Sequence, residues 1–209
     1  MWPPPDRPPP PRSLLIAAAI TAVLAALSMA VIDQPVARAI AGYQPLGFWD
    51  SGIVALEWGI LLPVFKWALA IGFAVGMLAC VIVPSLRRFA PAWMFLAAAH
   101  LLARIAMVQL KYATDRLRPY EWLKRGGATF FRDHSGLSFP SGHVVSFASI
   151  AIPLAVLFPR ARAVLLAVVA YVVAARVVAN AHWVSDTLAG ISLVCVVTWA
   201  CGWAIRPRR

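Results

Sequence analysis

The chain has 209 residues, 62% of them hydrophobic and only 13% charged, with a net charge of +11 and a mean hydropathy of +0.78. That composition lies far outside the range of soluble domains and places the chain in a bilayer. The positive charge does not indicate nucleic acid, because the cations flank apolar runs and no soluble basic face or recognition module is present.

The opening Pro3-Pro4-Pro5 and Pro8 to Pro11 bar a helix, so residues 1–13 read as a disordered or polyproline II tail. A membrane helix needs about 20 mostly apolar residues. Such runs follow at 14–32, 64–83, 92–110, 141–158, 163–180 and 187–205. The expected fold is therefore all-α, a polytopic six-transmembrane helix bundle over residues 14–205, closed by a basic tail at 206–209. Ala37-Arg38-Ala39 resembles a cleavage site, but the first apolar run is longer than a signal-peptide core, so it reads as a retained helix. Segment 53–62 is apolar but short, carries Glu57 and Gly59, and meets Pro63; it reads as an interfacial or re-entrant piece.

Short cytoplasmic loops collect Lys and Arg. Arg7, Arg12, Arg87, Arg88, Arg160, Arg162, Arg206, Arg208 and Arg209 all fall on one side of a six-span layout, which puts both termini in the cytoplasm. The outer stretch 111–132 breaks that pattern with Lys111, Arg116, Arg118, Lys124, Arg125 and Arg132. These charges do not serve topology, and a functional reason is expected. Cys80, Cys195 and Cys201 fall inside predicted spans without metal-ligand spacing, so they read as small packing residues, with no disulfide or zinc site. No glycine-rich phosphate loop or dinucleotide fingerprint is present.

Three polar clusters remain. Lys111 stands at the end of the third span, and Arg118 follows with Pro119 fixing the backbone behind it. A point charge and a planar fork together can neutralise and orient a phosphoryl group, although either alone is an ordinary interfacial anchor. Pro140-Ser141-Gly142-His143 opens the fourth span. Ser141 is placed to cap the helix, the free amides of the first turn can bind an anion, and His143 can donate a proton to a leaving oxygen. The plain alternative is a helix start with an interfacial histidine.

In the third cluster, Arg176 lies near the outer end of span five, and His182 and Asp186 are four apart around the short loop before span six. An ionisable residue within a span is costly and therefore a functional candidate. A carboxylate beside an imidazole can fix its tautomer and leave the other nitrogen as a nucleophile. Read blandly, Asp186 caps span six and His182 sits among headgroups. All three clusters, however, converge on one membrane face.

Other ionisable residues carry less. His100 and Arg104, one turn apart in span three, read as a structural pair or the lining of a polar route. Arg116, Lys124, Arg125 and Arg132 read as a broader positive rim, and Asp133 and His134 have no spacing that assigns a role. Trp2, Trp49, Trp93, Trp122 and Trp183 fit interfacial belts.

Lys111-x6-Arg118-Pro119, Pro140-Ser141-Gly142-His143 and Arg176-x5-His182-x3-Asp186 resemble, in order and spacing, the three-part signature of the type-2 phosphatidic acid phosphatase superfamily, in its membrane lipid phosphatase branch. The departure is Ala175, where the family usually has Ser. The resemblance implies a metal-independent lipid phosphatase with no cofactor. In it His182 would attack phosphorus to form a phosphohistidine, Asp186 would orient it, and His143 would protonate the leaving group and then activate water. Lys111, Arg118 and Arg176, with the Ser141 hydroxyl and the Gly142 amide, would hold the phosphate. The family's lipids include polyprenyl diphosphate, phosphatidylglycerol phosphate, phosphatidic acid and lipid A phosphates, and the sequence does not separate them. A lipid phosphotransferase using the same phosphohistidine and a non-catalytic lipid binder or transporter stand as alternatives. The expected partners are a phosphorylated membrane lipid and the bilayer. Small size, high Ala and Arg content and no organelle signal suggest a bacterial inner-membrane protein with its site facing the periplasm.

Overall fold

The structure is a computed structural model of the chain, and it describes residues 11–41, 52, 65–126 and 136–205. The Pro-rich tail up to residue 10 with Trp2 and Arg7, Trp49, segment 53–62, Arg132, Asp133, His134 and the tail 206–209 lie outside the described residues. Among the described residues every regular element is helical. Helix α1 (Ser13–Val31) leads into α2 (Asp33–Ala41), followed by α3 (Phe65–Ile82), a 3-10 turn Pro84–Phe89, α4 (Ala90–Thr114) and the short α5 (Pro119–Lys124). Then come α6 (Gly142–Leu157), a 3-10 turn Pro159–Ala161, α7 (Arg162–Val178) and α8 (Val184–Ala204).

Six helices stand where six apolar runs predict them. Among the described residues four stretches are long and apolar enough to cross a membrane: Ser13–Val31, the run Pro84–Lys124 containing α4, Pro159–Val178 and Val184–Ala204. Ile71–Ile82 within α3 and Gly142–Leu157 are apolar but shorter. Helix α4 extends past the predicted end at 110 to Thr114, so Lys111 lies in its last turn.

Helix α6 is the central rod. Val144 to Ser149 and Ala151 to Pro153 are all buried, as expected of a helix apolar on every side. It packs against α4, α7 and α8, while α1 lies along α8. Their shared core holds Leu14 and Ala18 from α1, Ala103 and Met107 from α4, Val145 and Ala148 from α6, Val169 from α7 and Val194 from α8. Small residues set the spacing, as lipid-embedded helices require for close packing. A Cβ on Gly190 would meet Val144 and Val145 at 3.3 Å, and Ser192 donates to the Ala18 carbonyl of α1 at 2.9 Å. Outside, Ile16, Ile20, Val23 and Val31 of α1, Ile71, Val75 and Leu78 of α3, Leu102 and Ile105 of α4 and Val164 of α7 are exposed. In water such a surface would be an aggregation liability; against lipid tails it costs nothing.

Two left-handed residues aim the chain at the site. Asp115 (φ 42°) ends α4 and Asn180 (φ 52°) follows α7. Asp and Asn tolerate this conformation better than other side chains that carry a Cβ. Asn180 also donates from its side-chain amide to the Ala37 carbonyl of α2 at 3.2 Å.

Candidate active site

The carboxylate of Asp186, in the first turn of α8, organises the centre. Its Oδ2 accepts the Trp183 amide at 3.1 Å and the Ser138 hydroxyl at 2.5 Å, and lies 3.4 Å from His182 Nδ1. Its Oδ1 accepts Arg116 Nη1 at 2.6 Å. Ser138 Oγ is also 3.3 Å from His182 Nδ1. Both neighbours of that nitrogen can accept a proton, so Nδ1 carries the hydrogen and Nε2 keeps its lone pair.

His182 is buried at 3% exposure. Burial pushes its imidazole down to about 4, against the hydrogen bond and charge of Asp186 that raise it, and Arg118 and Lys111 push it lower still. The ring is therefore neutral at pH 7, the state in which a nitrogen can attack.

The expectation that Arg116 belongs to an exposed positive rim is wrong. Arg116 is fully buried. Beside its bond to Asp186, its Nη2 pairs with Asp33 Oδ2 at 2.7 Å, its Nη1 bonds Ser185 Oγ at 2.7 Å, and its guanidinium lies 5.1 Å from the centre of the Trp183 ring. Asp33, at the start of α2, is equally buried. Its carboxylate accepts Ser28 Oγ at 2.9 Å, the Ser185 amide at 3.1 Å and the Ser185 hydroxyl. A buried charge survives only when paired and hydrogen-bonded. Here one guanidinium meets two carboxylates, which leaves one formal negative charge beside His182.

The interfacial-belt expectation fails for two of the tryptophans. Trp183 and Trp122 are buried at 1% and 2% exposure and stack edge to face at 5.5 Å. The Trp183 indole N–H is held by the Leu117 carbonyl at 2.7 Å. Trp183 thus covers the Arg116 guanidinium and Trp122 backs Trp183, while Trp93 is exposed on α4.

Lys111 Nζ donates to the carbonyls of Leu137 and Ser138, the latter at 3.4 Å. It therefore rests on the loop that delivers Ser138. That loop runs against the chain after α4: Ser138 N–H donates to the Arg116 carbonyl at 2.9 Å, and a Cβ on Gly136 would come within 2.3 Å of the same oxygen. Only glycine fits so close to a backbone. Arg118 precedes α5, where its amide donates to Glu121 Oε2 at 2.9 Å; the side chain is partly exposed.

Ser141 heads α6 as expected, but its hydroxyl makes no capping bond. Its amide instead donates to the Asp186 carbonyl at 3.0 Å, which ties the start of α6 to the first turn of α8. Ser141 Oγ is left buried with no hydrogen-bond partner among the described residues, a polar atom suited to a phosphate oxygen. Gly142 and His143 follow in the first turn, both partly exposed. A Cβ on Gly142 would meet Met107 at 3.4 Å and Lys111 Cε at 3.6 Å, which are ordinary contacts. Arg176 sits in the last turn of α7, and its carbonyl accepts the amides of Ala181 and His182, both at 3.2 Å. Ala175 beside it is fully buried.

His100 and Arg104 each meet a serine hydroxyl of α6. His100 Nδ1 is 2.8 Å from Ser149 Oγ, and Arg104 Nη1 donates to Ser146 Oγ at 2.6 Å. Cys80, Cys195 and Cys201 are buried and free. Among the described residues no group of three His, Cys, Asp or Glu side chains could hold a metal ion.

Sequence reasoning thus passes over Asp33, Gly136, Ser138 and Ser185, and misplaces Arg116. One signal is available for Asp33: it is a carboxylate directly after an apolar run, where an ionisable side chain is costly.

Comparison with known proteins fits this geometry. The family model described as the PAP2 superfamily matches residues 92–209, more than half of the chain. A protein named lipid A 1-phosphatase from Rhizobium johnstonii is 35% identical over 103 residues, covering 44% of this chain and 42% of that protein. Its namesake from Rhizobium etli is 35% identical over 103 residues, covering 44% of each. The match thus spans less than half the length of these curated relatives. No solved structure matches the chain.

Proposed function

The chain belongs to the PAP2 superfamily, and on that premise we propose that it is an integral membrane phosphatase that hydrolyses a phosphomonoester or diphosphate of a membrane lipid through a phosphohistidine. The observation that carries this reading is the buried His182, its Nδ1 facing Asp186 and Ser138 within reach of the Lys111 and Arg118 charges.

The reaction runs in two steps. His182 Nε2 attacks phosphorus, the N–P bond forms as the P–O bond to the lipid breaks, and protonated His143 gives its proton to the departing oxygen. The imidazole becomes cationic, and the negative charge left over from Asp33, Asp186 and Arg116 stabilises it. Water then attacks the phosphohistidine, passing a proton to His143 as the N–P bond breaks and inorganic phosphate departs. Lys111, Arg118 and Arg176, with Ser141 Oγ and the Gly142 amide, hold the phosphoryl oxygens and offset the charge that grows in the transition state.

The working unit is the membrane domain 14–205, with six spans, both termini cytoplasmic and the site facing the periplasm of a bacterial inner membrane. The support is the charge pattern of the loops and the six apolar helices, four of which are long enough to cross by themselves while the apolar part of α3 and α6 are shorter. A lipid substrate follows from a site at the end of a bundle whose sides are apolar, so that the tail stays in the bilayer. The names of the two Rhizobium relatives put a lipid A phosphate among the substrates to try.

The experiment is phosphate release from a panel of lipid phosphates by the detergent-purified chain in EDTA, beside His182→Ala. Release that the chelator leaves intact and the substitution abolishes is the expected result. Undiminished turnover by His182→Ala would sink the assignment.

A further inference from the structure

Arg104 is a charge that the reaction above does not use. It lies on α4 seven residues before Lys111, about two helical turns deeper on nearly the same face. It is half-buried, and among the described residues its guanidinium touches no carboxylate; its polar partner is the neutral Ser146 hydroxyl at 2.6 Å. Arg116 shows what this chain does with a cation that serves structure alone, for it is given two carboxylates. An unneutralised guanidinium at the depth of a span is expensive, and the missing counter-charge points to an anion that arrives with a ligand.

The surroundings place that anion. Ser146 donates to the Gly142 carbonyl at 2.8 Å, so Arg104 is anchored one turn below the start of α6. Lys111 runs past Gly142 itself. Arg104 and Lys111 thus meet α6 at Ser146 and beside Gly142, positions one helical turn apart. His143, the proton donor to the leaving group in the reading above, stands on the intervening turn. In that reading the leaving group lies along the first turn of α6, on the lipid side of the scissile phosphate. Below Arg104, Ser149 donates to the Ser146 carbonyl at 3.1 Å and contacts His100 at 2.8 Å, which fixes this serine ladder from beneath.

We propose that Arg104 binds the inner, lipid-attached phosphate of a lipid diphosphate, and that lipid diphosphates are the preferred substrate class. The proposal rests on the phosphatase reading. In a monophosphate ester the group that leaves is an alcohol, with no lasting charge for Arg104 to meet. In a diphosphate it is a lipid monophosphate. His182 takes the terminal phosphorus, the bond from that phosphorus to the bridging oxygen breaks, and the bridging oxygen stays with the inner phosphate and takes the His143 proton. Hydrolysis of the phosphohistidine then yields inorganic phosphate and the lipid monophosphate. Arg104 neutralises the inner phosphate throughout, and most strongly as it leaves.

The test compares farnesyl diphosphate with farnesyl phosphate, which share one tail, using the full chain in detergent. Wild type should prefer the diphosphate, and Arg104→Gln should lower the diphosphate-to-monophosphate ratio of kcat/KM about tenfold or more, as expected for truncating one partner of a desolvated charge pair. Arg104→Lys should restore part of that ratio. An equal loss on both lipids, or no change in the ratio, overturns the proposal. A readout that needs no variant is competition on wild type by the methylene-bridged analogue of farnesyl diphosphate against farnesyl phosphonate. Tighter inhibition by the bridged analogue supports the site, and equal inhibition overturns it. Phosphate release from neither lipid, with His182→Ala indistinguishable from wild type, strikes the phosphatase reading itself and the proposal with it.

Discussion

Arg116 and Arg118 stand two residues apart in one basic stretch, yet the fold gives them opposite tasks. Arg116 is fully buried and clamped between Asp33 and Asp186. Arg118 is partly exposed, and its side chain pairs with no carboxylate among the described residues. The paired arginine builds the frame, and in the proposed reaction the unpaired one meets the substrate's charge. The same division separates Asp33 and Ser185 from Lys111 and Ser141 Oγ: the first pair is saturated within the protein, while the second offers a cation and an unused hydroxyl.

Substitutions should split along that line. The largest effect is expected for Arg116→Met, which strands two buried carboxylates and should cost about 3–5 kcal/mol of stability. Thermal denaturation in detergent measures it, and a variant as stable as wild type would show that Arg116 is no frame. Arg118→Met should melt like wild type but lose roughly 10²–10³ in kcat/KM, as when one transition-state donor is removed; a fall in stability with intact turnover would reverse the assignment of the two arginines.

Ser138→Ala should come next. It removes a hydroxyl bonded to an ionised carboxylate, worth about 1.5–3 kcal/mol, and loosens His182. The loss should fall in kcat rather than KM, because Ser138 touches the nucleophile and not the phosphate; a change confined to KM would place Ser138 against the substrate.

The smallest effect should come from mild acid. His182 must be neutral to attack, and burial holds it at about 4, so its protonation should not limit kcat between pH 7 and 5. The stability linkage has a definite sign. Between about 4 and the ordinary value of 6.5 the unfolded chain binds the proton that the folded chain refuses, so this contribution to stability is present above 6.5 and lost as pH falls toward 4. A loss of kcat near pH 6.5 that follows protonation of His182, monitored by NMR of the labelled imidazole, would contradict its burial.

The helices were legible because a bilayer demands long apolar runs, and the runs 14–32, 163–180 and 187–205 became Ser13–Val31, Arg162–Val178 and Val184–Ala204. His182 and Asp186 were legible because a four-residue spacing is local. Arg116 was not, since its meaning depends on Asp33, which is 83 residues away in sequence. A charge in a sequence shows no partner, so a paired and an unpaired arginine look alike. Trp183 and Trp122 misled in the same way, because an amphipathic ring suits a headgroup belt and a buried wall equally. Ser138 escaped notice as a common hydroxyl in a loop, and Gly136, which admits that loop beside the Arg116 carbonyl, carries no side chain to attract attention.

The central claim is that His182 becomes phosphorylated during turnover. Rapid quenching of the detergent-purified chain with a lipid labelled on its terminal phosphate, followed by peptide mapping under alkaline conditions that preserve phosphoramidates, tests it directly. Label on the peptide that contains His182, lost in acid and missing from His182→Ala, is the predicted result. Normal phosphate release by the wild type with label on another residue, or by the His182→Ala variant, would contradict the account.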